Sequence, residues 1–216
     1  MDGCGAGWVV ARVEPDRILW SVPPDAAGVL AATSGCAAVG VDIPLGLPVG
    51  AGRRACDLAA RVALGPARSS VFLTPPLEVL EATTHAEACA IARRLTGKAI
   101  SIQTFRLGAK ILDWERGVDR PGHVVEVHPE LSFRRLAPTV AFAGKKSARG
   151  AGQRIAELTG RFGPALELAD LPPAAGLDDA LDALAAAWSA ARWARGDADE
   201  LGPGRDARGR RMCIAV

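Results

Sequence analysis

A chain of 216 residues, 49% hydrophobic and 23% charged, can bury a full core and is too apolar to stay disordered. Its formal net charge of +2 gives no ground for inferring a polyanion partner from bulk electrostatics. Five scattered cysteines (Cys4, Cys36, Cys56, Cys89, Cys213), with no CxxC pair, exclude a zinc or disulfide framework as the organising feature and fit a reducing compartment. No apolar run reaches the length of a membrane span and no basic-then-apolar signal opens the chain, so a cytoplasmic protein with no membrane partner is expected.

In chain order, Asp2 stands on a glycine-rich turn ahead of a strand over residues 8–13, and residues 18–22 form a second strand after the Pro15–Asp16 turn. The two are expected to pair as a hairpin. Gly3, Gly5 and Gly7 are spaced GxGxG, which is not the dinucleotide fingerprint, and too little chain precedes them for the strand that motif requires. A helix over residues 25–34 leads into AAVGV (37–41), an apolar run that suits a strand covered on both faces. That strand delivers one carboxylate, Asp42, and Pro44, Gly46 and Pro48 then end any ladder. An acid at the mouth of a buried strand is where open α/β sheets place ligands. The competing explanation is that Asp42 only opens a turn.

Residues 50–116 read mostly as helix: 53–64, then a Pro/Ser turn over 65–76 carrying Arg68, then 85–95 and 103–116. Arg93, Arg94 and Lys98 form a small basic cluster that fits a solvated helix end. In EVHPE, a strand over 124–127 carries Glu126, and His128 and Glu130 follow at alternate positions that would share its face if the strand continued past Pro129. Lys145, Lys146 and Ser147 fail the phosphate-loop spacing, because Thr139 stands where the first glycine is needed. A helix is expected over 150–160, a loop over 170–176 and a short strand at the C-terminal MCIAV.

Residues 177–195, LDDALDALAAAWSAARWAR, make the longest helical pattern, with Leu177, Leu181, Leu184 and Trp188 on one face and Gly196 as its stop. Asp178 and Asp179 complement the helix dipole from the first turn. Asp182 lies a turn further in, near two like charges and with no lysine or arginine in the next turn, so it requires a cation from elsewhere.

Taken together, the segments DGCGAGWVVA, GVDIPLGLP, RRACDLAARVALG with ARSSVF, TGKAISIQTF, EVHPELSF, GKKSARG and LDDALDALAAAW resemble the DUF429 family, a group described as predicted ribonuclease H-like nucleases. DALDALAAA is also similar to the last motif of RuvC-type resolvases, DAxDAL, which carries metal-binding carboxylates. The resemblance implies an α/β, ribonuclease H-like mixed sheet flanked by helices. It would form a single domain over residues 1–216, with a helical insertion at about 50–120 after the Asp42 strand. It implies Asp2, Asp42, Asp179 and Asp182 as catalytic, metal-holding acids; Glu126, His128 and Glu130 lie in a motif of unassigned role. The family has several apolar residues before DGC, where this chain has only Met1. The expectation is a missing central strand, or a start further upstream.

Carboxylates gathered at one end of a sheet raise each other's pKa unless a hard cation is present. The expected function is a Mg²⁺- or Mn²⁺-dependent nuclease acting on nucleic acid, with Arg68, Lys98 and Lys145 as phosphate contacts. The alternatives are a nucleotide-binding or phosphoryl-transfer protein of the same fold, or a non-catalytic binding or regulatory domain.

Overall fold

The computed structural model describes residues 1–48 and 50–216. The chain divides into two compact units: Met1–Asp42 with His123–Asp199 and Ala215–Val216, and Ile43–Gly122 with Glu200–Ile214. Residues 50–120, read from the sequence as a helical insertion, fall within the second.

The first unit opens with β1 (Asp2–Cys4), β2 (Gly7–Val13) and β3 (Ile18–Ser21), an antiparallel meander in the register Asp2 to Val9 and Val13 to Ile18. Its first turn depends on Gly7, whose φ of 141° and contact with the Pro23 carbonyl leave no room for a Cβ. Helix α1 (Ala26–Ala32) starts at Asp25, whose side chain accepts from the Gly28 amide. Strand β4 (Val39–Val41) follows, buried throughout.

In the second unit come α2 (Ala55–Leu64), α3 (Leu77–Leu80), α4 (His85–Thr96) and α5 (Ile102–Arg116), with Thr84 and Ser101 capping the last two. Back in the first unit, β5 (Val124–Val127) runs parallel to β4, aligning Val41 with Glu126. It is succeeded by α6 (Pro129–Leu136), α7 (Ala148–Phe162) and α8 (Leu177–Arg195). The chain closes with β6 (Glu200–Arg205) and β7 (Arg211–Ala215). Among the described residues no helix is long and apolar enough to cross a membrane.

Strands β1 and β4 belong to separate sheets, and among the described residues Met1 alone links them where a longer strand was expected to be missing. The Met1 α-ammonium donates to the Gly40 carbonyl at 2.8 Å, and the Asp42 amide donates to the Met1 carbonyl at 3.1 Å. These two bonds set Met1 in parallel register with Val41. Main-chain pairing therefore crosses the unit from β3 through β2, β1 and β4 to β5, in mixed orientation. A cavity of about 210 Å³ is lined by Met1, Val10, Val39, Gly40 and alanines of α8.

Three expectations are corrected. Pro129 does not merely interrupt the EVHPE strand; it occupies the first turn of α6, where its missing N–H costs nothing. His128 and Glu130 thus leave the strand face that Glu126 occupies. Leu177 is 44% exposed, because it opens α8 ahead of the packed region. From Ala180 to Ala186, moreover, the helix is buried all round rather than on one face. One side meets the sheet and the other meets Phe133 of α6 and Leu158 of α7.

The seating of α8 on β4 is set by glycine and alanine. A Cβ at Gly40 would lie 2.4 Å from the Ala186 carbonyl oxygen, a backbone atom that cannot give way without moving the helix. Gly40→Val should therefore destabilise the protein by about 2–4 kcal/mol through overpacking. Urea unfolding measures this, and a change under 0.5 kcal/mol would show that α8 does not rest on Gly40.

Candidate metal centre

Three acids converge at the start of β1 and the end of β4. Asp2 is the first residue of β1, Asp42 follows β4 directly, and Asp182 projects from the buried turn of α8. Each offers one carboxylate oxygen, and these oxygens all lie within 4.8 Å of one another, although 140 residues separate Asp42 from Asp182. The local causes are plain. The parallel register puts Asp2 and Asp42 side by side at the strand ends, and the close approach of α8 at Gly40 carries Asp182, one turn before Ala186, onto the same spot.

Burial dominates the electrostatics. It raises the Asp2 pKa to about 7, with repulsion from Asp182 adding to it. Burial likewise holds Asp42 well above the carboxylate range, with Asp2 and Asp182 contributing. Asp182 is raised by burial but restrained by Lys145, whose Nζ donates to Asp182 Oδ2 at 2.6 Å. For Lys145, burial lowers the pKa, and attraction to Asp182, Asp2 and Asp42 overcomes it, leaving the ammonium firmly charged. The Met1 ammonium is depressed to about 6 by burial against the pull of the same three acids. Two carboxylates about 4 Å apart repel by about 4 kcal/mol at an effective dielectric of 20, so a single lysine relieves the cluster only in part.

Lys145 is held in place by a buried arginine that the sequence did not single out. Arg154 of α7 donates to Glu130 Oε1 at 2.8 Å and to the Ala143 and Gly150 carbonyls. Its guanidinium lies 5.1 and 5.2 Å from the ring centroids of Phe133 and Phe142. Arg154 so ties the 141–147 segment to α6 and α7, and Ser147 caps α7 by accepting from the Gly150 amide. An arginine followed at i+4 by an apolar residue inside an amphipathic helix was the available signal; nothing local marks it as buried.

The remaining predicted residues are placed as follows. Asp179 lies outside the 4.8 Å group; it is half-buried, its pKa raised by burial and by Asp178. Glu126 is buried on β5 and His128 occupies the position before the first residue of α6 without a side-chain capping bond, neither within the group. Glu130 is the partner of Arg154 and contributes repulsion at Asp182. Arg68 is exposed on a short 3-10 turn (Gly65–Ser70) of the second unit, and Lys98 lies in that unit too.

A mixed α/β protein with a buried triad of hard oxygen donors, short of positive charge, is a protein whose site can hold a metal ion. The profile of the family described as "Protein of unknown function (DUF429)" matches residues 1–207, and the chain belongs to that family. Neither a curated protein nor a solved structure matches it.

The raised acid pKa values fix the sign of a pH effect. Between about pH 4 and 7 the metal-free folded protein retains protons, on Asp2 and Asp42, that the unfolded chain has released. Stability is therefore greatest at the acid end of this window and falls as pH rises. The depressed Met1 ammonium acts oppositely between about 6 and 8, so the clean range is below pH 6. In EDTA, melting temperature should fall from pH 4.5 to 6, less steeply in Asp42→Asn, which at pH 6 should equal wild type or exceed it by roughly 1 kcal/mol. Thermal melts of both proteins check this; parallel slopes would mean Asp42 titrates normally.

Proposed function

We propose that the protein is a divalent-metal-dependent phosphodiesterase acting on nucleic acid, a nuclease of ribonuclease H-like type. The observation that carries this is the convergence of Asp2, Asp42 and Asp182 on one buried point. The strand sequence β3–β2–β1–β4–β5 with α8 laid across it supports the ribonuclease H-like assignment. Asp2, Asp42 and Asp182 would hold Mg²⁺ or Mn²⁺, and Asp179, nearer the solvent, would serve at the rim. When bound, such ions lower the pKa of water and polarise a phosphoryl oxygen.

The chain's own residues do the rest. The three carboxylates, fixed by strand ends and by a fully packed helix turn, need no reorganisation to present their oxygens. Lys145 stands in for the cation at Asp182 in the metal-free protein, and with its side chain 39% exposed it has a path outward. Once its charge at Asp182 is replaced, the ammonium is placed to contact a phosphate oxygen beside the acids. A groove of about 420 Å³ runs past Lys145, Lys146 and Ser147 at the start of α7, with Asp178 on its lining, and its two lysines would offer contacts to a phosphodiester backbone.

Lys145→Met should raise Mn²⁺ affinity by removing the competing cation, and should lower cleavage by removing the phosphate contact. A calorimetric titration and a cleavage assay on the same protein check the two signs; weaker metal binding would deny that Lys145 competes with the ion. The function itself is tested with single-stranded and duplex DNA, RNA, hybrid and junction substrates in EDTA, Mg²⁺ and Mn²⁺. The expected outcome is metal-dependent cleavage that Asp182→Asn reduces by at least about a hundredfold. No cleavage of any substrate with either metal would contradict the reading.

A further inference from the structure

The second unit contains a cleft of about 360 Å³ that the acidic centre does not use. Its walls come from the 71–76 segment, the end of α4 and the 98–104 segment that opens α5. Three of the segments that carry the family resemblance meet in it: Arg53 and Arg61 from RRACDLAARVALG, Ser69 and Phe72 from ARSSVF, Lys98 and Ser101 from TGKAISIQTF. None of the three supplies a residue to the triad.

The lining is one-sided in charge. Arg53, Arg61 and Lys98 contribute three cations, and among the described residues no carboxylate lines the cleft. Asp57, between Arg53 and Arg61 in sequence, is buried and engaged, accepting from the Thr74 amide at 2.8 Å and pairing with Arg54 at 3.5 Å, and the exposed Glu78 is not part of the lining. Arg61 is held by its bond to the Val71 carbonyl. Arg53 and Lys98 make no ion pair among the described residues. Hydroxyls of Ser69, Ser101 and Thr104 stand on the same lining, and Ser101 caps the fifteen-residue helix α5, whose N-terminal amides favour an anion. Apart from Thr74 and Thr96, the rest of the wall is apolar, with Val71, Phe72, Pro75, Pro76 and Ile100 its largest side chains. The volume is in the range of small-molecule sites, which combine an apolar wall with a few convergent polar groups.

We propose that this cleft binds a nucleoside phosphate, the phosphate on Lys98, Arg53 and the start of α5, and the base against Phe72 and the prolines. An anion alone would leave the apolar wall unused, and an apolar ligand would leave three cations without a counter-charge. The same chemistry is offered by a free mononucleotide and by the 5′-phosphorylated end of a strand. This proposal is independent of metal-dependent cleavage, so it is tested in EDTA.

Calorimetric titration of the full chain, with Asp42→Asn as the control for the acidic centre, uses inorganic phosphate, the four nucleoside 5′-monophosphates, and a short oligonucleotide with and without its 5′-phosphate. The expected result is saturable binding of a mononucleotide at least about tenfold tighter than inorganic phosphate, the same in Asp42→Asn. It should weaken about tenfold in Lys98→Ala and in Arg53→Ala. Phe72→Leu should weaken the nucleotide and leave inorganic phosphate unchanged. Tighter binding of the 5′-phosphorylated oligonucleotide than of the mononucleotide assigns the cleft to strand ends, and the reverse assigns it to free nucleotide. Binding no tighter than inorganic phosphate, no binding at all, or binding indifferent to Lys98 and Arg53 in variants that melt like wild type would overturn the proposal.

Discussion

The first unit rests on the approach of α8 to β4 at Gly40. With the Ala186 carbonyl positioned where any Cβ would be, the helix lies against the sheet at a separation only glycine and alanine permit. That contact fixes the rotation and height of α8, and so determines which of its residues face the strand ends. The apolar residues ahead of Ala186 in the helix, Leu181 and Leu184, are fully buried against Val9, Ala11 and Ile18. Each such side chain contributes about 1.5–3 kcal/mol on burial. This packing is what keeps Asp182 in place despite its neighbours' charge.

The electrostatic consequence is a site that opposes its own metal-free state. Hydrophobic packing of α8 and the parallel main-chain bonds of Met1 force three carboxylates together, and the molecule responds by holding protons on Asp2 and Asp42 and by bringing Lys145 onto Asp182. Both responses are reversible at modest cost. A divalent cation supplies the charge that one lysine cannot, and this links the fold to the proposed chemistry. Arg154 has the opposite character. Buried beside the paired rings of Phe133 and Phe142 and tied to Glu130, it is a fixed support for the segment that carries Lys145.

Much of this was legible from pattern. The strand Val124–Val127 and the helix Leu177–Arg195, ended by Gly196, follow from periodicity and stop signals. Asp42 was marked by the apolar run it terminates. Asp182 was marked by like charges in need of a cation, but the identity of that cation depends on the path of residues 137–147, which no local rule specifies. Helix α6 was hidden because Pro129 reads equally as a strand break and as a helix start. Strand β6, ELGPGR, was hidden because glycine and proline argue against a strand; Gly202 is required there by its positive φ and its contact with Ala55. The depth of burial around α8 was underestimated because alanines carry little amphipathic signal, yet they are what bring helix and sheet close.

The most direct measurement is anomalous diffraction from crystals soaked in millimolar Mn²⁺. The account predicts a Mn²⁺ peak bound by carboxylate oxygens of Asp2, Asp42 and Asp182 at about 2.1–2.2 Å, with Lys145 withdrawn from Asp182. No peak at that point, with Lys145 still paired to Asp182, would contradict it.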